Sequence, residues 1–161
     1  MYKIKLLILL LISFVLLSCT NNDNINKNNR FSLGYIGGGY DGLVMSNLIE
    51  TYLKSYNMLD DNSELSIEIG YNNNANLYVS GIDKTSDRQK IISEIKIKIY
   101  NKMLDCYVYS FEESVSQFYI FATNEKFISN EKAVEKIKYE NADLLTKRFI
   151  NNVMYEKLIC E

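Results

Sequence analysis

The chain has 161 residues, with 18 basic and 20 acidic side chains, three cysteines, and no histidine, proline or tryptophan. Without histidine, the Ser-His-Asp and Cys-His catalytic devices, histidine metal sites and the usual proton shuttle near neutral pH are excluded. The acidic balance offers no basic face for nucleic acid, and the length suits one domain with a sizeable core rather than two.

Residues 1–18 read as a lipoprotein signal peptide. Lys3 and Lys5 precede a nearly unbroken apolar run over 6–17, and Leu16-Leu17-Ser18-Cys19 closes it with a small residue before the cysteine. The run is shorter than the roughly 20 residues of a membrane span. The small residue gives a peptidase access to the backbone, and the Cys19 thiol is expected to carry a covalent lipid. No other cofactor and no metal is expected. Less Lys3 and Lys5, the 18 basic residues stand against 20 acidic ones, a net charge of −4, so the lipid rather than charge must supply membrane anchoring. After Cys19, six of the eleven residues to position 30 are asparagine, with Asp23, Lys27 and Arg30 among the rest. It cannot bury apolar surface and reads as a flexible tether that spans at most about 35 Å.

The single domain is expected over 31–161. Residues 31–36 predict a strand with Phe31, Leu33 and Tyr35 on one face. Gly37-Gly38-Gly39 breaks it, and Asp41 is placed to cap a helix. Over 42–56, Met45, Leu48, Ile49, Tyr52, Leu53 and Tyr56 recur at steps of three and four, with Asn47, Glu50, Thr51 and Lys54 opposite, which predicts an amphipathic helix. Asn57 and the polar run 60–62 end it. Leu65, Ile67, Ile69 and Tyr71 then alternate with Ser66, Glu68 and Gly70, the period of a half-buried strand. Residues 72–76 read as either a turn or a bulge, so 65–82 is one bent strand or two.

Residues 83–90 form a polar loop. Ile95, Ile97 and Ile99 alternate with Glu94, Lys96 and Lys98 in the clearest strand, residues 102–105 turn, and 106–111 returns as its hairpin partner. Residues 115–123 are apolar without a clear period. Over 130–154, Val134, Ile137, Leu145, Phe149 and Val153 make a helical stripe with Ala133 and Ala142 beside it. The order β-α-β-β-β-α implies an α+β fold: a mainly antiparallel four-stranded sheet with two helices packed on one face. The other face, with Glu68, Glu94, Lys96 and Lys98, should meet water or a polar partner. Export permits a disulfide. Cys106 nevertheless falls in an apolar strand and Cys160 in a polar tail, which reads as two independent cysteines, one of them in the core.

Residues 34–42 (GYIGGGYDG) have the strand-loop-helix order of a phosphate cradle. They lack the GxxxxGK[ST] spacing and any basic residue, and Asp41 would repel a phosphate, so a tight turn is the better reading. Glu112 and Glu113 are adjacent, so in a strand they point to opposite faces and cannot pair for catalysis. Ser114 and Ser116 have no histidine partner. A role other than catalysis is expected. Lys84, Arg88 and Lys90 gather in the loop over 83–90 with Asp83 and Asp87. The loop is either simply solvated or a grip on an anionic headgroup, with Arg88 as bidentate donor.

Taken together, residues 31–59 (FSLGYI-GGGYDG-LVMSNLIETYLKSYNML), the strands over 63–111 and the closing helix after Val115 and Ala133-Val134, behind the Cys19 motif, resemble the LPS-assembly lipoprotein family LptE. That family is the outer-membrane partner of the LptD barrel. The resemblance covers nearly all of the mature chain and rests on pattern and order rather than on invariant residues. It implies a lipid-anchored outer-membrane plug or scaffold for an LptD-like β-barrel, receiving lipopolysaccharide. It also implies basic contacts to the lipid's phosphates at one end of the sheet, which correspond here to Lys84, Arg88, Lys90 and Lys126. Thr20, rather than Asp, after the cysteine points to the outer membrane under the enteric sorting rule. The alternative is an auxiliary lipoprotein of an ABC-type lipid transport system.

Overall fold

The alternation of apolar and charged residues from Glu94 to Ile99 becomes part of an inner strand of the sheet, where one face can be buried and the other wet. The computed structural model describes residues 29–80, 86–120 and 127–160. Its elements are β1 (Ser32–Gly37), α1 (Gly39–Ser55), β2 (Leu65–Ser80), β3 (Ser86–Asn101), β4 (Cys106–Ile120) and α2 (Phe127–Tyr155). They form one four-stranded sheet in the order β1-β2-β3-β4, with β1 parallel to β2 and the other pairs antiparallel. This is the expected α+β arrangement.

β2, β3 and β4 have 16, 16 and 15 residues. At about 3.3 Å per residue they make a blade roughly 50 Å long. β1 pairs only with Ser66 to Gly70, at one end of it. On the helix-covered face, Ile67, Ile69, Ile95, Ile97 and Ile99 are buried against Met45, Ile49 and Leu53 of α1 and Leu145, Phe149 and Val153 of α2. Isoleucine rows suit this surface because a β-branched side chain fills the pleat with little rotamer loss. Glu94, Lys96 and Lys98 stay exposed on the opposite face.

Several local expectations change. Phe31, just before β1, is buried and Leu33 half-buried, but Tyr35 is 72% exposed. The pairing with β2 shifts between Leu33 and Ile36, and a shift of one residue sends the next side chain to the other side. Asp41 does not cap α1. Gly38 holds that position in the left-handed region (φ 105°) without a side-chain cap bond. A Cβ on Gly38 would stand 2.1 Å from the Tyr71 carbonyl oxygen, so the chain passes over β2 where only glycine fits. Asp41 falls instead in the first helical turn, where the macrodipole favours a carboxylate, and pairs with Lys138 of α2 at 3.7 Å.

The stretch 65–80 is one strand, paired residue for residue with β3 from Leu65–Asn101 to Ser80–Ser86. Residues 86–90 are part of β3, not of a polar loop, and β4 runs on to Ile120. In both places ladder pairing overrides a polar or ambiguous local sequence. The cysteines are not independent either. Cys106 and Cys160 form a disulfide with Cα atoms 5.8 Å apart. Cys106 is half-buried rather than in the core, and the segment after α2 folds back to reach it across 54 residues of sequence.

Candidate functional site

The outer face of the blade is polar and internally paired. Strand register sets Glu68 opposite Lys98 and Lys96 opposite Glu112. Lys96 Nζ lies 2.6 Å from Glu112 Oε1, and that carboxylate holds the ammonium pKa above its usual value. Tyr107 Oη donates to Glu68 at 3.2 Å, while Lys98 Nζ sits 5.1 Å from the Tyr107 ring centroid. Tyr100 meets Tyr107 edge-on at 5.3 Å and donates to Asp105. Both phenols are held above the ordinary tyrosine range, Tyr107 by its bond to Glu68 and Tyr100 by its bond to Asp105. Exposed ion pairs of this kind add little to stability. Their effect is a broad polar wall in which Lys96 is paired with Glu112 and Glu68 is bonded to Tyr107. As expected for neighbours in a strand, Glu113 points the other way from Glu112, and it binds Arg148 of α2 at 3.0 Å.

At the far end of the blade, Lys90 stands opposite Phe118 in the β3–β4 ladder, with its ammonium 5.6 Å from the ring centroid. Phe118 is 59% exposed. Arg88 lies two residues further along β3, opposite Tyr78 and Ile120. Arg88 and Lys90 therefore belong to a strand rather than a loop, and the fold brings them to one end of the sheet. Lys84, Lys126 and Cys19 lie outside the described residues. Phe118 went unnoticed in the sequence, although it continues the even-numbered series Ser114, Ser116 once β4 is extended.

On the inner face, the apolar core gives way to a hydrogen-bonded cluster. Asn141 of α2 is fully buried. Its Nδ2 donates to Ser93 Oγ at 2.9 Å, and its Oδ1 accepts from Gln117 Nε2 at 2.8 Å. Ser93 Oγ in turn donates to Asn73 Oδ1 at 2.6 Å, which also accepts from Tyr71 Oη at 3.1 Å. Buried polar groups linked in this way are costly to mismatch, so the cluster sets the register of α2 on the sheet. The signal in the sequence was an asparagine inside the apolar stripe, four residues after Ile137 and four before Leu145.

Beside the cluster lies a cleft of about 390 Å³ between the start of α1 and the first half of α2, with Tyr40, Val44, Tyr71 and Tyr139 in its wall. A second hollow of about 340 Å³ reaches Gln89 and Tyr119 and shares Glu135 and Lys138 with the first. Burial pushes the Tyr71 phenol above its ordinary pKa, so it stays protonated and supplies a neutral donor rather than a base. Lys138, the nearest cation, is paired with Asp41. Among the described residues no three His, Cys, Asp or Glu side chains are grouped to hold a metal ion. The GYIGGGYDG stretch makes the tight strand-to-helix turn expected of it.

No family model matches the chain, and no curated protein matches it. Solved structures do. A minor lipoprotein from Acinetobacter baumannii is similar with a TM-score of 0.61 at 12% identity, over 83% of this chain and 98% of that one. Rare lipoprotein B from Shewanella oneidensis gives 0.54 at 11% identity, over 78% and 96%. A lipoprotein from Caulobacter crescentus, described as putative, gives 0.54 at 9%, over 82% and 91%. The fold is the one these three lipoproteins share. At such identities the likeness is one of architecture, and no residue is carried across.

Proposed function

We propose that this protein is a lipid-anchored outer-membrane lipoprotein, acting as plug or scaffold for an LptD-like β-barrel translocon in lipopolysaccharide assembly. One juxtaposition carries the reading: a signal that ends at Cys19 precedes a domain whose architecture matches lipoproteins over nearly their whole length. No helix among the described residues is long and apolar enough to cross a membrane; in this reading the Cys19 lipid is the anchor.

The geometry suits the role. A barrel lumen is polar, and the outer face of β2, β3 and β4 presents a polar wall of Glu94, Lys96, Lys98, Tyr107 and Glu112. Such a surface suits contact with a polar lumen better than contact with lipid. In this reading Arg88 and Lys90 at the far end of the blade, with Lys84 and Lys126 as the resemblance implies, meet the lipid's phosphates. Lys90 above the exposed Phe118 ring offers an amphiphile both a cation and an apolar plate.

Extraction of the native chain in mild detergent, followed by size-exclusion chromatography, tests the proposal. A β-barrel should co-elute with it in fixed ratio. A monodisperse lipoprotein with no barrel attached would refute the plug role. Crosslinking from Lys96 that captures an inner-membrane transporter would transfer the chain to the ABC-type lipid transport alternative.

A further inference from the structure

We propose that the turn between β3 and β4 is a membrane-dipping tip: Met103 and Leu104, with Ile159 at the same end, enter the bilayer leaflet that holds the Cys19 lipid. The proposal rests on the lipoprotein reading above and adds to it a second, non-covalent contact with the membrane.

Met103 is 71% and Leu104 64% exposed, two adjacent large apolar side chains left in water by the fold. The turn that carries them is well defined. Asn101 Oδ1 accepts the backbone N–H of Met103 at 2.9 Å and of Leu104 at 3.0 Å, and Asp105 closes the turn in the left-handed region at φ 54°. An asparagine that caps its own turn in this way holds the next two residues outward. Ile159, 55% exposed, precedes Cys160, which is bonded to Cys106 just past the turn.

The position of the tether commits this tip to lipid. The described chain begins at residue 29, and the Arg30 carbonyl accepts from Ser63 Oγ at 2.5 Å. Lys102, the first residue of the turn, donates through Nζ to the Ser63 carbonyl at 3.1 Å and to Ser32 Oγ at 2.9 Å. Its backbone N–H donates to the Glu64 carbonyl at 2.9 Å. The segment from Cys19 thus enters the domain beside the turn, and its length limits the separation from the lipid to about 35 Å. Of the two ends of the blade, this one is held near the bilayer. Phe118 lies twelve residues along β4 from Cys106, about 40 Å away. The mature chain is acidic, so contact by charge with an anionic leaflet is unfavourable and apolar insertion is the remaining source of attraction.

The chain has no tryptophan, so Leu104→Trp introduces a sole indole reporter. The full-length acylated protein is reconstituted into phosphatidylethanolamine–phosphatidylglycerol vesicles, with and without bromine on the acyl chains. The expected result is blue-shifted emission that loses most of its intensity in brominated vesicles, while Tyr139→Trp, on α2 beside Tyr71, keeps its intensity in both. Adding Met103→Asp to the reporter should abolish the quenching without releasing the protein from the vesicles. If the acylated protein floats with the vesicles but Trp emission at position 104 is unquenched, the tip proposal fails and the lipoprotein reading stands. A blue shift without quenching would mean that protein covers the tip, and also overturns the proposal. An unacylated Cys19 by mass spectrometry, with no flotation, would overturn the lipoprotein reading and the tip with it.

Discussion

Breaking the Cys106–Cys160 bond should destabilise the fold without altering its core. Cys160 lies five residues beyond the end of α2, and Phe149 and Val153, which pack that helix onto the sheet, do not depend on it. The change therefore acts mostly on the unfolded chain. The bond spans 54 residues of sequence, including most of β4 and all of α2. Closing a loop of that size removes enough unfolded-state entropy to stabilise the native state by about 4 kcal/mol at 25 °C. With a urea slope of about 2 kcal/mol per molar for a domain of this size, the midpoint should fall by roughly 2 M on reduction. The assay is urea unfolding followed by circular dichroism, with and without dithiothreitol, on a Cys19→Ser chain that retains only the two relevant thiols. The Cys106→Ser/Cys160→Ser double variant should reproduce the loss without reductant. Coincident midpoints with and without reductant, or two titratable thiols in the native oxidised protein, would refute the reasoning.

Two further outcomes follow from the packing of α2. Asn141→Ala removes the donor to Ser93 and the acceptor for Gln117, and should cost roughly 2–3 kcal/mol in urea unfolding. A cost near the ~0.5 kcal/mol of an ordinary surface substitution would show that the buried cluster is not what registers the helix. Asp143 is desolvated, which works to raise its pKa, but bonds from Lys147 at 2.7 Å and Tyr52 at 2.7 Å prevail and hold the carboxyl below the ordinary aspartate range. Its contribution to stability is therefore complete above the unfolded-state pKa and fades as pH falls through the depressed native one. In a Tyr52→Phe variant, carbon-13 NMR should show the Asp143 carboxyl titrating at higher pH, toward the ordinary range. An unchanged titration would mean the α1–α2 bond plays no part in the shift.

Periodicity alone located both helices and the middle of the sheet, because burial on one face imposes a spacing that the residues must obey. Ile95, Ile97 and Ile99 had to share a side once extended, and Leu145, Phe149 and Val153 had to line one flank of a helix. The same logic correctly separated Glu112 from Glu113. It stopped at the far half of the blade, where Asn72 to Asn76 and Ser86 to Lys90 carry no strand pattern of their own. There the backbone is extended because a neighbouring strand is present to accept its hydrogen bonds. Of the expected basic contacts, Arg88 and Lys90 were close in sequence, but their place in a strand came only from that pairing.

Local chemical order was thus sufficient for the element sequence and the exposed polar wall, since each depends on residues a few positions apart. Contacts between distant segments required the folded chain: Cys106 with Cys160, Asn141 with Ser93, Asp41 with Lys138, and the Gly38 turn over Tyr71. Each joins groups dozens of residues apart whose meeting is settled by how helices seat on a sheet. No spacing along the chain encodes that seating, because it is fixed by the shape and hydrogen-bonding demands of surfaces that exist only after the strands have paired.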